Sequence, residues 1–229
     1  MSDDNDQHHE SSDGRGSGSG KSVQLGYILF FSLSVVVLQL LFLDPQGFNK
    51  MVSNEVKASY EALGKSKWVS LTGKTSEQFE FVIVDSGFKE YYLDAVTRET
   101  NDTFPLAKLV GKLMPFVHRF VNNIQVITYQ LLHRANLLVA WAYVLIPFIV
   151  AQLAAGIYQW RIRTYTFGNK TKARMLVIRK LLRIIYLVML AFFFLPSFYP
   201  YLSAYLPVIA LTISSFLIKR YIITVQKFW

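Results

Sequence analysis

Side chains able to carry chemistry are sparse in this chain and poorly grouped. The four histidines are His8, His9, His118 and His133, and the last two lie fifteen residues apart with no carboxylate at zinc-ligand spacing. Surface or interfacial histidines are the expected reading. Cysteine is absent, which excludes disulfides and thiolate metal sites. Gly16-Ser17-Gly18-Ser19-Gly20-Lys21-Ser22 looks like a phosphate-binding loop, but that motif needs a glycine five positions before its last one, and Arg15 stands there. An intramembrane hydrolase would have only Ser34 or Ser214 to use, with no histidine in the same apolar runs to activate either. Acids such as Asp85, Glu90 and Asp94 are scattered, as on a solvated surface. These residues lead us to expect no catalytic group, no cofactor and no bound metal, hence a protein that is not an enzyme.

One charged constellation remains. Residues 161–183 hold eight Lys and Arg and no acid, opening with Trp160-Arg161-Ile162-Arg163. Attraction to anionic lipid explains the charge, at about 1 kcal/mol per basic residue near a membrane surface. Thr166-Phe167-Gly168-Asn169 reads as an ordered turn between two basic helical runs, which also suits an acidic protein partner or nucleic acid. Candidate partner or lipid contacts are therefore Arg161, Arg163, Phe167, Gly168, Lys170, Lys172 and Arg174.

The elements that must position this loop are apolar. Of 229 residues 52% are hydrophobic and 15% aromatic, too many for an ordinary soluble domain, and the apolar residues cluster. Residues 22–43, 135–160 and 184–218 contain no Asp, Glu, Lys or Arg, and each is long enough to cross a bilayer. The third is too long for one span, and Pro196-Ser197-Phe198-Tyr199-Pro200 in its middle breaks it into a tight helical hairpin. The fold class expected is an all-α integral membrane protein with about four transmembrane helices. Its organisation is a disordered tail (1–21), a first span (22–43), a mainly helical extracytoplasmic segment (44–134), a second span (135–160), the basic loop (161–183), a hairpin of spans (184–218) and an end piece (219–229).

The tail carries Asp3, Asp4, Asp6, Glu10 and Asp13, unlike the short basic leader of a signal peptide, so the first span is read as an uncleaved anchor. The basic loop faces the cytoplasm by the positive-inside rule, which puts both termini inside and 44–134 outside. Within the outer segment, Met51, Val52, Val56, Tyr60 and Leu63 recur at helical spacing. Residues 79–84 read ambiguously as a short strand. From Leu106 to Ile127 one apolar stripe predicts a long helix with Pro115 as a bend. Gln39, Asn136 and Gln152 are read as hydrogen-bonded helix connectors, and Ala151-x3-Ala155 and Ala210-x3-Ser214 as points of close helix approach.

The block Gly156-Ile157-Tyr158-Gln159-Trp160-Arg161-Ile162-Arg163-Thr164-Tyr165-Thr166-Phe167-Gly168, the proline-broken apolar hairpin and the basic aromatic end from Lys219 to Trp229 resemble a known family. It comprises inner-membrane proteins of unknown biochemical function encoded by integrating conjugative elements and conjugative plasmids. The chain departs from it at Ala155, where an acid is expected, and at Met175-Leu176-Val177, where a Tyr-His pair is expected. The resemblance implies a part in DNA transfer between bacteria, as an accessory to the coupling ATPase or the type IV secretion channel, and it assigns no catalytic residue. The leading expectation is thus a non-enzymatic inner-membrane structural or adaptor subunit. Its partners would be conjugation-machinery membrane proteins such as the coupling ATPase, together with anionic lipids and, through the loop, nucleic acid. The alternative is a small transporter or channel component, weakened by the lack of ionisable residues within the apolar stretches.

The two readings of the loop separate experimentally. Lys and Arg serve membrane orientation equally, whereas only the planar Arg fork binds carboxylate or phosphate in a bidentate manner. An Arg161→Lys, Arg163→Lys double variant and Gly168→Val are each expected to accumulate normally in membranes yet lose DNA transfer. Full transfer by both would reduce the loop to a topology signal.

Overall fold

A computed structural model of the chain describes residues 30, 33–87, 90, 107–164, 172–196 and 199–225. Among these the architecture is all-helical, without a strand. Helix α1 (Leu33–Phe42) is apolar and ends before Asp44-Pro45. That pair starts α2 (Pro45–Leu63). The Asp44 carboxylate accepts from the Gly47 amide at 3.0 Å, and Pro45 occupies a first-turn position where no amide donor is missed. Gly64 ends α2 with φ of +77°, a conformation glycine adopts without strain, and its amide closes on the Tyr60 carbonyl at 2.9 Å. The chain then doubles back as α3 (Lys65–Glu80). Trp68 fastens the hairpin: its indole N–H donates to the Val56 carbonyl at 2.9 Å, and its ring meets Tyr60 edge-on at 5.4 Å.

Residues 79–84 are not a strand. They finish α3 and pass into a π-helical turn (Phe81–Asp85) that buries Ile83 and leaves Phe81 exposed. The alternation that suggests a strand has no partner edge among the described residues, so the backbone meets its hydrogen bonds by widening the helix already running.

Helix α4 (Ala107–Thr164) is 58 residues long, about 87 Å at 1.5 Å per residue. It contains both Pro115 and Pro147 and runs unbroken through 134–135. The apolar stripe and the second apolar stretch of the sequence are therefore one rod. Helix α5 (Lys172–Phe194) and α6 (Pro200–Val225) form the hairpin expected at the prolines.

Contacts fix the directions. Glu55 of α2 meets Gln130 and Arg134, while Thr75 and Phe79 of α3 meet Asn136 and Tyr129, so α2 runs with α4 and α3 against it. Trp141 donates to the Ala204 carbonyl at 3.2 Å, and Gly156 lies against Lys219 fifteen residues on along both helices, so α4 and α6 are parallel. Phe48, Val52 and Ile127 form the buried apolar core between α2 and α4, closed by Val36, Leu40 and Leu43 from the α1 side. Each such large side chain contributes about 1.5–3 kcal/mol on burial.

Two stretches, Pro115–Ile162 and Pro200–Thr224, are long and apolar enough to cross a membrane. In the most apolar eighteen residues of the first, only 6% are buried within the fold. The apolar part of α1 (Leu33–Phe42) is shorter, and α5 carries Arg179, Lys180 and Arg183 in its first half.

At the α4–α6 crossing, a Cβ added to Gly156 would sit 3.5 Å from the Lys219 Cα, an ordinary contact. Gly156→Ala should therefore be tolerated, whereas Gly156→Leu should overpack the crossing and destabilise by about 1–3 kcal/mol. Thermal unfolding of the detergent-solubilised variants checks this.

Candidate functional site

The most elaborate polar arrangement lies where helix ends converge. Glu55 is completely buried on the same face of α2 as Phe48, Val52 and Ser59. Arg134 of α4 is buried beside it and binds in a fork: Nε to Oε1 at 2.7 Å and Nη2 to Oε2 at 2.9 Å. Gln130, one turn earlier on α4, donates to Oε2 at 3.3 Å, and the Ser203 hydroxyl of α6 donates to Oε1. Four donors from two helices thus surround one carboxylate.

The other arm of Arg134 reaches α5. Its Nη1 donates to the carbonyls of Phe192, Phe193 (3.4 Å) and Leu195 (2.7 Å), and the guanidinium lies 4.8 Å from the centre of the Phe192 ring. The last carbonyls of a helix have no partner within it and form the negative end of its dipole, so a guanidinium suits the end of α5. By the same rule the carboxylate suits the first turn of α6, which it meets through Ser203. A buried pair of this kind gains from having every lone pair and proton used.

A second connection parallels the first. Gln39 of α1 donates to the Phe194 carbonyl at 2.6 Å, and Asn123 of α4 donates to the carbonyls of Leu40 and Leu43, both at 3.0 Å. Asn136 joins α4 to α3 through Thr75 at 3.1 Å and Gln78 at 2.8 Å. Gln39 and Asn136 are thus the helix connectors expected, while Gln152 has a buried amide oxygen with no partner among the described residues. A cavity of about 290 Å³ opens beside the ion pair between α5 and α6, its mostly apolar lining joined by Arg134, Tyr199 and Ser203.

One sequence expectation is overturned here: His133 is not a surface histidine but is buried, stacked on Tyr129 at 6.4 Å. Sequence reading missed Glu55, Gln130, Arg134 and Ser203. The available signal was Glu55 itself, three residues after Val52 and four before Ser59 on the apolar stripe of α2.

The basic constellation lies at the opposite end of the bundle. Arg161 is exposed near the end of α4 and Arg174 is exposed near the start of α5. Arg163 and Lys172 belong to those helices, and their side chains, like Phe167, Gly168 and Lys170, lie outside the described residues. The Arg179 guanidinium sits 5.9 Å from the Tyr221 ring centre, and Lys219 lies against Gly156, so the basic residues of α5 and α6 gather at the same end.

The family model described as "DtrJ-like: IncC plasmid conjugative DNA transfer protein DtrJ-like" matches residues 45–224. That range runs from the first residue of α2 almost to the end of α6 and takes in both ends of the bundle. No match was found among curated proteins or among solved structures.

Removing one member of the buried pair leaves the other charge uncompensated, so Glu55→Leu or Arg134→Met alone should each destabilise by about 3–5 kcal/mol. The double variant should recover part of the summed loss but not all, because the α5 carbonyls stay uncapped. Arg134→Lys should fail like Arg134→Met, since an ammonium cannot supply the fork and the carbonyl contacts together. A double-mutant cycle on unfolding in detergent measures the coupling.

Proposed function

This chain belongs to the DtrJ-like family of IncC plasmid conjugative DNA transfer proteins, and we propose that it serves there as a non-enzymatic membrane subunit, an adaptor that holds other transfer proteins at the inner membrane. The observation that carries the process is the family match, which extends over 45–224. Membrane insertion is supported by the apolar side chains left uncovered around the bundle. Val139, Tyr143, Ile146 and Val150 on α4, Tyr186 and Val188 on α5, and Tyr205, Ile209 and Ile213 on α6 are all exposed. A water-soluble protein seldom leaves so wide an apolar surface open, whereas lipid covers it at no cost.

The orientation we infer puts the basic end in the cytoplasm and the ion-pair end outside. The antiparallel course of α5 between the parallel α4 and α6 is the alternation that three successive crossings require. α1 would add a fourth crossing, its C-terminal end meeting the end of α5 at the outer side through Gln39. An adaptor role is supported by how the polar side chains are spent. The Ser34 hydroxyl donates to the Phe30 carbonyl at 2.8 Å, and the Glu55 carboxylate is committed to Arg134, Gln130 and Ser203. Both arrangements serve structure. The coupling ATPase or a channel component is the partner class that suits the cytoplasmic basic end.

Loss of the chain should abolish conjugative transfer. A Cβ at Gly73 meets nothing within 4 Å, so Gly73→Cys should complement fully. In intact cells an impermeant maleimide should label Gly73→Cys and leave Gly168→Cys unlabelled until lysis. The reverse pattern would refute the orientation, and recovery of the chain in the soluble fraction would refute the membrane reading.

A further inference from the structure

The groove between α3 and α4 combines features that a water-facing cleft would not need. It holds about 430 Å³ and has two unlike walls. One is α3, which presents Lys67 and Lys74. They are seven residues apart, hence on one helical face and about 10 Å apart along the axis. Both are exposed, and neither makes an ion pair among the described residues. The other wall is α4, with Val139 66% exposed and Tyr143 76% exposed, running on to Val144. This wall belongs to the longer of the two helical stretches that are apolar enough to cross a membrane among the described residues.

Two cations beside an uncovered apolar strip match an anionic amphiphile. Phosphate would satisfy the ammonium groups, acyl carbon would cover Val139 and Val144, and the Tyr143 ring would lie where the two meet. Water satisfies only the first wall and an apolar partner only the second. We propose that this groove is a binding site for an anionic phospholipid, with the headgroup between Lys67 and Lys74 and one acyl chain along α4. The proposal rests on the membrane reading above. The site is distinct from the basic end of the bundle, where lipid attraction comes from charge alone. Here the headgroup and the chain have separate walls, so binding is selective for lipid class and not only for surface potential. A lipid held there braces the α2–α3 hairpin against α4 from outside, supplementing the Asn136 contacts to Thr75 and Gln78.

The test uses the full chain in nanodiscs of equal phosphatidylglycerol and phosphatidylcholine, with Tyr143 replaced by the photo-crosslinking residue benzoylphenylalanine. Crosslinked lipid is identified by mass spectrometry. At least about fivefold enrichment of phosphatidylglycerol is expected, two cations near the surface being sufficient for it. Lys67→Gln with Lys74→Gln should return the ratio to the bulk composition, while Lys67→Arg with Lys74→Arg should preserve the enrichment. Crosslinking at bulk ratio in the parent protein would overturn the lipid site but leave the membrane reading standing. No lipid crosslink at position 143 would overturn both. Crosslinking to a second protein chain in place of lipid would overturn the site and mark the groove as a protein interface.

Discussion

The arrangement of helices depends on one constraint: Glu55 and Arg134 can be buried only together, and only where helix ends are within reach. A carboxylate and a guanidinium taken out of water lose several kcal/mol each in hydration. The carboxylate regains its hydrogen bonds from Arg134, Gln130 and Ser203, and the guanidinium regains its own from Glu55 and the last carbonyls of α5. These partners come from α2, α4, α5 and α6, so satisfying two side chains sets the relative positions of four helices. The α5–α6 turn is held at both its edges, the negative end of one helix facing the cation and the positive end of the next facing the anion.

Features governed by local chemistry were legible in the sequence. The stripe at Met51, Val52 and Val56 marks α2, and the prolines at 196 and 200 mark the hairpin, because periodicity and proline geometry act within a few residues. The run at 79–84 was misleading for the complementary reason. A strand exists only against a partner, and sequence pattern cannot show that no partner arrives. The pairing itself could not be read, since its members are 79 residues apart and Ser203 is 148 residues from Glu55. Charge in an apolar stripe was the only clue. The loop residues Phe167, Gly168 and Lys170 stay as sequence left them, outside the described residues, although the helices on either side bring their basic ends together.

The two ends of the bundle divide the work. At one, polar groups are consumed inward and hold the helices in register. At the other, Arg161, Arg174, Arg179 and Lys219 come from three helices that meet in a single region. In the adaptor reading proposed above, this division sets the end that meets partners apart from the end whose buried polar groups hold the helices in register. The long α4 rod connects the two, and the small residue at Gly156 keeps its parallel partner α6 close where the basic end begins.

The polar junction also has an order in time. Ribosomes deliver Glu55, Gln130 and Arg134 well before Phe192, Leu195 and Ser203, so the nascent chain holds a charge pair lacking part of its ligand set. Only the final hairpin completes it. A chain truncated before residue 192 would therefore keep Arg134 without the carbonyls of Phe192 and Leu195 and Glu55 without the Ser203 hydroxyl.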